Sequence, residues 1–159
     1  MNIMAIDPGN IESAYVVIDD EYKVLSKGKI DNHALLTILK QNHHDIKYVA
    51  IEMIASYGMA VGKTVFDTCV WIGRFEQALI ENKCKVEHVY RKDIKMNLCG
   101  SNRAKDTNVT QALIDRFAPN TRNKGKGTKD DQGWFYGFKK DIWQAYAVAV
   151  TYKDEILSV

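Results

Sequence analysis

The sequence predicts a mixed α/β domain, an open sheet flanked by helices, and three observations carry that prediction. Two apolar runs of strand length, residues 2–7 and 46–51, each end abruptly at a carboxylate, Asp7 and Glu52. Between them, alternating segments joined by the acidic turn Asp19-Asp20-Glu21 read as an antiparallel meander. Further along, apolar residues recur at helical spacing, most clearly over 64–82 and 142–152.

Each element has its own local reason. Residues 2–7 are apolar up to Asp7 and read as a buried strand, with Pro8-Gly9 turning the chain out. Residues 13–18 and 24–30 are the meander. Residues 31–41 open on a capping Asp or Asn and place Leu35, Ile38 and Leu39 on one helical face. Residues 46–51 repeat the apolar-then-acid pattern. The segment 64–82 predicts a long helix, apolar almost all round in its first half (Val65, Phe66, Cys69, Val70, Trp71, Ile72), hence buried on two sides between layers or against a partner subunit. Residues 86–90 read as a short strand, 104–117 as a helix stopped by Pro119, and 142–152 as a final helix. The stretch 120–140 is rich in Gly, Asn and Lys and long for a compact domain, which makes it functional or disordered.

The 159 residues suffice for one domain spanning 1–159 with a sizeable core, not for two large ones. With 46% hydrophobic and 26% charged residues, the chain has globular rather than disordered composition. No apolar run approaches the ~20 residues of a membrane span, and no signal peptide is visible, so a cytoplasmic protein without a membrane partner is expected. Cys69, Cys84 and Cys99 are odd in number and far apart, as reduced thiols are, and the four histidines lack metal-ligand spacing.

The net charge of +2 hides an asymmetry. Between Arg91 and Lys140, twelve basic residues face five acidic ones, with Gly, Asn, Ser and aromatics interleaved. Such a cluster is either a solvated face or a nucleic-acid footprint, and its composition favours the footprint. Arg91, Lys92, Lys95, Arg103, Lys105, Lys124, Lys126 and Lys129 are the candidate contacts. The stretch "YGMAVGKT" at 57–64 imitates a phosphate-binding loop, but Gly58 lies one residue too close to Gly62.

If residues 2–7 and 46–51 are parallel neighbours, Asp7 and Glu52 emerge at one sheet edge, where open α/β sheets place their sites. Asp141 stands at the start of the last helix. Three converging carboxylates are oxygen ligands for Mg²⁺ or Mn²⁺. Singly they are also a turn residue, a strand-end acid and an N-cap, and spacing alone does not choose.

Four segments choose. "MAIDPGN", "YVAIE", "YRKDIKMNLCGSNRAKDTNV" and "KKDIWQAYAVAV" occur in the order and at the spacings of RuvC-type Holliday junction resolvases. The chain resembles that family, in its smaller bacteriophage-encoded form, over nearly its whole length. The resemblance implies an RNase H-like fold and metal-dependent hydrolysis of branched DNA, four-way junctions above all, while the apolar girdle of 64–82 implies a homodimer joined through that helix. The resemblance also implies that Asp7, Glu52 and Asp141 hold the ions. The family's fourth acid is Gln144 here, so the amide oxygen ligates, acts through water, or leaves the role to Asp130 or Asp131. Lys95 and Lys105 match basic residues beside the scissile phosphate, with Lys105 among the catalytic set. Tyr57 is the nearest candidate for an aromatic inserted at the junction centre, offset from the family position, where Ala55 stands. Two rivals remain: a junction-binding protein with a weakened metal site, and an RNase H-like phosphotransferase or ATPase.

Overall fold

Five strands form one mixed sheet in the order β3-β2-β1-β4-β5. The computed structural model describes residues 1–42 and 44–157. Strands β1 (Asn2–Asp7), β2 (Glu12–Ile18) and β3 (Val24–Asp31) make the antiparallel meander, while β4 (Ile46–Met53) and β5 (Lys85–Tyr90) join parallel to β1 and to one another. Side chains alternate across a strand, so β1 sends Ile3 and Ala5 to one face and Met4 and Ile6 to the other. Each face has its own core.

On the first face lies α5 (Asp141–Tyr152), backed by α3 (Arg91–Cys99) and α4 (Asp106–Phe117); on the other lie α1 (Asn32–Lys40) and α2 (Lys63–Glu81). From Ala145 to Val150 every residue of α5 is buried, which explains its run of alanines and valines: the helix runs between the sheet and a second helical layer. Helix α1 starts where the Asp31 carboxylate accepts the His33 backbone N–H at 2.8 Å. The Asn82 side-chain amide ties the end of α2 to the Leu39 carbonyl at 2.8 Å. Lys105 caps α4, its backbone N–H donating to Asn108 Oδ1 at 2.9 Å. None of the helices among the described residues is long and apolar enough to cross a membrane.

Three expectations need correction. Helix α3 has no counterpart in the sequence reading, because Ile94 is its one fully buried residue and no apolar stripe announces it. Helix α2 is not sandwiched between layers of its own chain, since Ile72, Phe75, Ala78 and Leu79 face the sheet while Phe66 and Val70 stand 60% and 63% exposed, which leaves the partner-subunit reading of its second side. The stretch 120–140 is pinned in place. Its backbone N–H groups at Gly133 and Phe135 donate to the Lys126 and Gly125 carbonyls, both at 3.0 Å, and a Cβ at Gly133 would collide with the Gly125 carbonyl. The same stretch delivers Phe135 and Phe138, both buried, against Trp143 and Tyr146 of α5. Phe135 and Phe138 belong to the core, while Lys124 and Lys129 lie on the surface.

Candidate active site

The sheet register places the carboxylates. Ile6 lies opposite Ile51 in the parallel pair, so the next residues, Asp7 and Glu52, are neighbours at the carboxyl ends of β1 and β4. Alternation turns both toward α5, the face that Ala5 and Ala50 occupy one turn of the pleat earlier. The first residue of α5 brings Asp141 to the same edge, and Gln144 follows one helical turn on.

A braced turn holds Asp7. The buried Ser13 hydroxyl donates to Asn32 Oδ1 at 2.6 Å, Asn32 Nδ2 donates to the Gly9 carbonyl at 2.8 Å, and the Gly9 N–H donates to Ser13 Oγ at 3.1 Å. A Cβ at Gly9 would collide with the Glu12 carbonyl, so only glycine allows this return of the chain.

Lys29, Asp141, Arg91, Asp106 and Glu52 are all paired here. Lys29 Nζ donates to Asp141 Oδ2 at 2.6 Å. Arg91 reaches Glu52 Oε1 at 3.4 Å and forms a second ion pair with Asp106. Gln144 Nε2 donates to both oxygens of Glu52, at 3.1 and 3.4 Å. Burial, reinforced by the negative charges of Glu52 and Asp141, pushes the Asp7 carboxyl up to about 8. Burial also raises Glu52, against the opposing pull of Arg91 and Gln144. The hydrogen bond to Asp141 pushes the Lys29 ammonium up in turn.

All of these groups except Lys29 border a cleft of about 590 Å³. Asp7, Glu52, Tyr57, Arg91, Asp141 and Gln144, all foreseen, line it. Lys105 is exposed at the cap of α4 beside the lining residue Asp106, but does not line the cleft itself. Arg103 borders a separate shallow groove with Ser101 and Asn108. Lys92, Lys124 and Lys129 are exposed and Lys95 and Lys126 half-buried, all outside the cleft, as are Asp130 and Asp131, the alternatives to Gln144. Lys29, Asp106, Thr110 and Lys140 were missed. For Lys29 a signal existed, since continuing the meander register from Asp7 reaches it two strands away.

The donor set fits a hard divalent cation, because three carboxylates crowd one cleft, and burial together with the negative charges of its neighbours disfavours ionisation of Asp7 until a cation joins them. As the side chains stand, no group of three His, Cys, Asp or Glu among the described residues is placed to hold a metal ion. Asp141 is engaged by Lys29, and Glu52 by Gln144 and Arg91.

A five-stranded mixed sheet in this order, flanked by helices on both faces, is the RNase H-like fold. Among solved structures the chain is similar to Thermus thermophilus RuvC, with a TM-score of 0.70 at 15% identity over 96% of this chain and 93% of that one. It is likewise similar to T. thermophilus RuvC in complex with a Holliday junction substrate, with a TM-score of 0.68 at 14% identity, covering 96% and 92%. The fold is therefore RuvC-like. No protein-family model matches the chain, and no curated protein matches it either.

Proposed function

We propose that this chain is a structure-selective endonuclease that resolves four-way DNA junctions and other branched DNA, a RuvC-type resolvase of the bacteriophage kind. The observation that carries the reading is the placement of Asp7, Glu52 and Asp141 around one open cleft at the carboxyl edge of a RuvC-like sheet. Asp7, Glu52 and Asp141 would hold Mg²⁺ or Mn²⁺, with Gln144 beside them. Ions held there would activate water and neutralise charge on the leaving oxygen of a phosphodiester.

The chain's own groups do the rest. The buried Ser13–Asn32–Gly9 network braces the turn that follows Asp7 at the strand edge. Arg91 and Lys140, both on the cleft, present positive charge to the DNA backbone, and Lys105 at the start of α4 adds a phosphate contact at its rim. Tyr57, 66% exposed on the loop after β4, offers a flat apolar face to an unstacked base. A symmetric junction needs two equivalent cuts, which a two-fold dimer through α2 supplies. The lysines of 120–140 widen the basic surface.

A second reading has its own observation. Gln144 is neutral where the family carries an acid, and Lys29 occupies Asp141, so a junction-binding protein with little cleavage is the alternative. Labelled four-way, three-way and linear DNA, incubated with and without Mg²⁺ or Mn²⁺, separates the two. Paired nicks in the four-way junction that depend on the metal are expected. Tight junction binding without nicks in either metal favours the binding protein.

A further inference from the structure

Lys29 stands in the cross-sheet row that carries the candidate carboxylates. In the meander, Lys29 of β3 lies opposite Ala14 of β2, and Ala14 lies opposite Asp7 of β1. A single methyl group therefore separates lysine and aspartate in the row. Lys29 Nζ ends 2.6 Å from Asp141 Oδ2. Across the cleft Arg91 faces Glu52, and Gln144 contributes an uncharged amide.

The charge balance of the site follows. Once ionised around a metal, Asp7, Glu52 and Asp141 bring three negative charges and Asp106 a fourth, and Lys29, Arg91 and Lys140 return three positive ones. Two dications side by side, as in two-metal nucleases, would sit in an environment with one net negative charge and a fixed ammonium on one ligand. A single dication meets Asp7 and Glu52, neither of which is hydrogen-bonded to a lysine, Glu52 being held instead by Arg91 and Gln144.

We propose that Lys29 is a resident cation of this site, its ammonium taking the place of one divalent ion so that each protomer accepts one such ion. This rests on the metal-dependent reading above. The lysine holds Asp141 toward β3 and supplies fixed positive charge beside that carboxylate.

The test counts ions and needs no DNA. Full-length protein, stripped of metal, is titrated with Mn²⁺ while free Mn²⁺ is read by electron paramagnetic resonance. Wild type should take up one equivalent per protomer. Lys29→Gln or Lys29→Met should admit a second equivalent or tighten the first about tenfold, the ion pair being partly screened by solvent. Lys29→Arg should behave as wild type, and Lys29→Gln with Gln144→Asp should take up two. Because β3 is an edge strand and Lys29 is 39% exposed, these changes leave both cores intact. Two equivalents in the wild type, or neutral variants that bind Mn²⁺ as wild type does, overturn the role of Lys29 and leave the nuclease reading standing. Absence of Mn²⁺ binding in every variant overturns the metal-dependent reading and this inference with it.

Discussion

Gln144 donates its side-chain amide to both carboxylate oxygens of Glu52, at 3.1 and 3.4 Å, across the interface between α5 and β4. Residue 144 thus faces the cleft, and its chemistry reaches a candidate metal ligand directly. Exchanging the donor for an anion has two consequences of opposite sign. In metal-free protein, Gln144→Asp sets a carboxylate against buried Glu52 and lowers the melting temperature. With Mg²⁺ present, the added charge lowers the concentration needed for half-maximal cleavage about tenfold. Gln144→Ala removes the donor and raises that concentration if the amide also ligates. Metal titrations on one junction, paired with melting curves in chelator, give both quantities. An unchanged Mg²⁺ requirement in Gln144→Asp refutes the placement of this residue beside the ions.

Asp7→Asn should abolish cleavage while junction binding persists, since the variant loses a metal ligand and leaves the basic surface untouched. A variant that cuts at near wild-type rate sinks the assignment of Asp7 to the metal.

The same residue sets a pH dependence. Burial and the neighbouring acids raise the Asp7 carboxyl from 3.8 to about 8, so the folded state favours its neutral form. A raised acid contributes stability that is full below its ordinary range and is lost as pH rises through about 8. Glu52, raised in the same direction, adds to the loss. In chelator the wild type should therefore melt several degrees lower near pH 9 than near pH 6, and Asp7→Asn should flatten most of that slope. Thermal denaturation of both proteins across this range checks it. Parallel slopes would mean that Asp7 ionises freely.

Neutralising Lys124, Lys126 and Lys129 together should weaken binding to all DNA forms alike and flatten the salt dependence, by roughly 0.9 units of slope for each phosphate that these lysines neutralise. The change should spare melting, because the anchoring of this stretch comes from Phe135, Phe138 and its own backbone hydrogen bonds. Binding isotherms at several salt concentrations decide it. An unchanged slope makes these lysines a solvated edge.

What the sequence announced, and what it concealed, divide along a physical line. Strands β1 and β4 were readable because burial on both faces demands unbroken apolar runs, and the carboxylates closing them were conspicuous for that reason. The final helix was readable from the same saturation with apolar residues. Helix α3 was not, since one buried isoleucine in nine residues leaves no periodicity to detect. Nor was the order in 120–140 visible, because glycines that admit close backbone contact look in sequence like glycines of a loose loop. Lys29 escaped notice for a third reason. Its partner Asp141 lies 112 residues away, and only the register of the meander brings the two to one edge.

The outward face of α2 supplies the last prediction. Phe66, Val70, Gly73 and Ile80 recur at spacings of four, three and seven residues, along one side of the helix. Phe66, Val70 and Ile80 are at least half exposed, and a Cβ added at Gly73 would meet nothing within 4 Å. The first half of α2 is thus apolar on a side that the described residues leave open. A second copy of the helix crossing near Gly73 would cover that stripe with close backbone approach. Sedimentation at micromolar concentration should accordingly report a mass near twice 18.1 kDa. Phe66→Glu combined with Val70→Glu should yield a monomer whose melting temperature is little changed, because neither side chain contributes to the cores. That monomer should bind junctions more weakly and lose the pairing of its two nicks, since each active site then acts alone. A wild type that sediments as a monomer with and without junction DNA excludes the α2 dimer, and with it symmetric cleavage by two sites related through that helix.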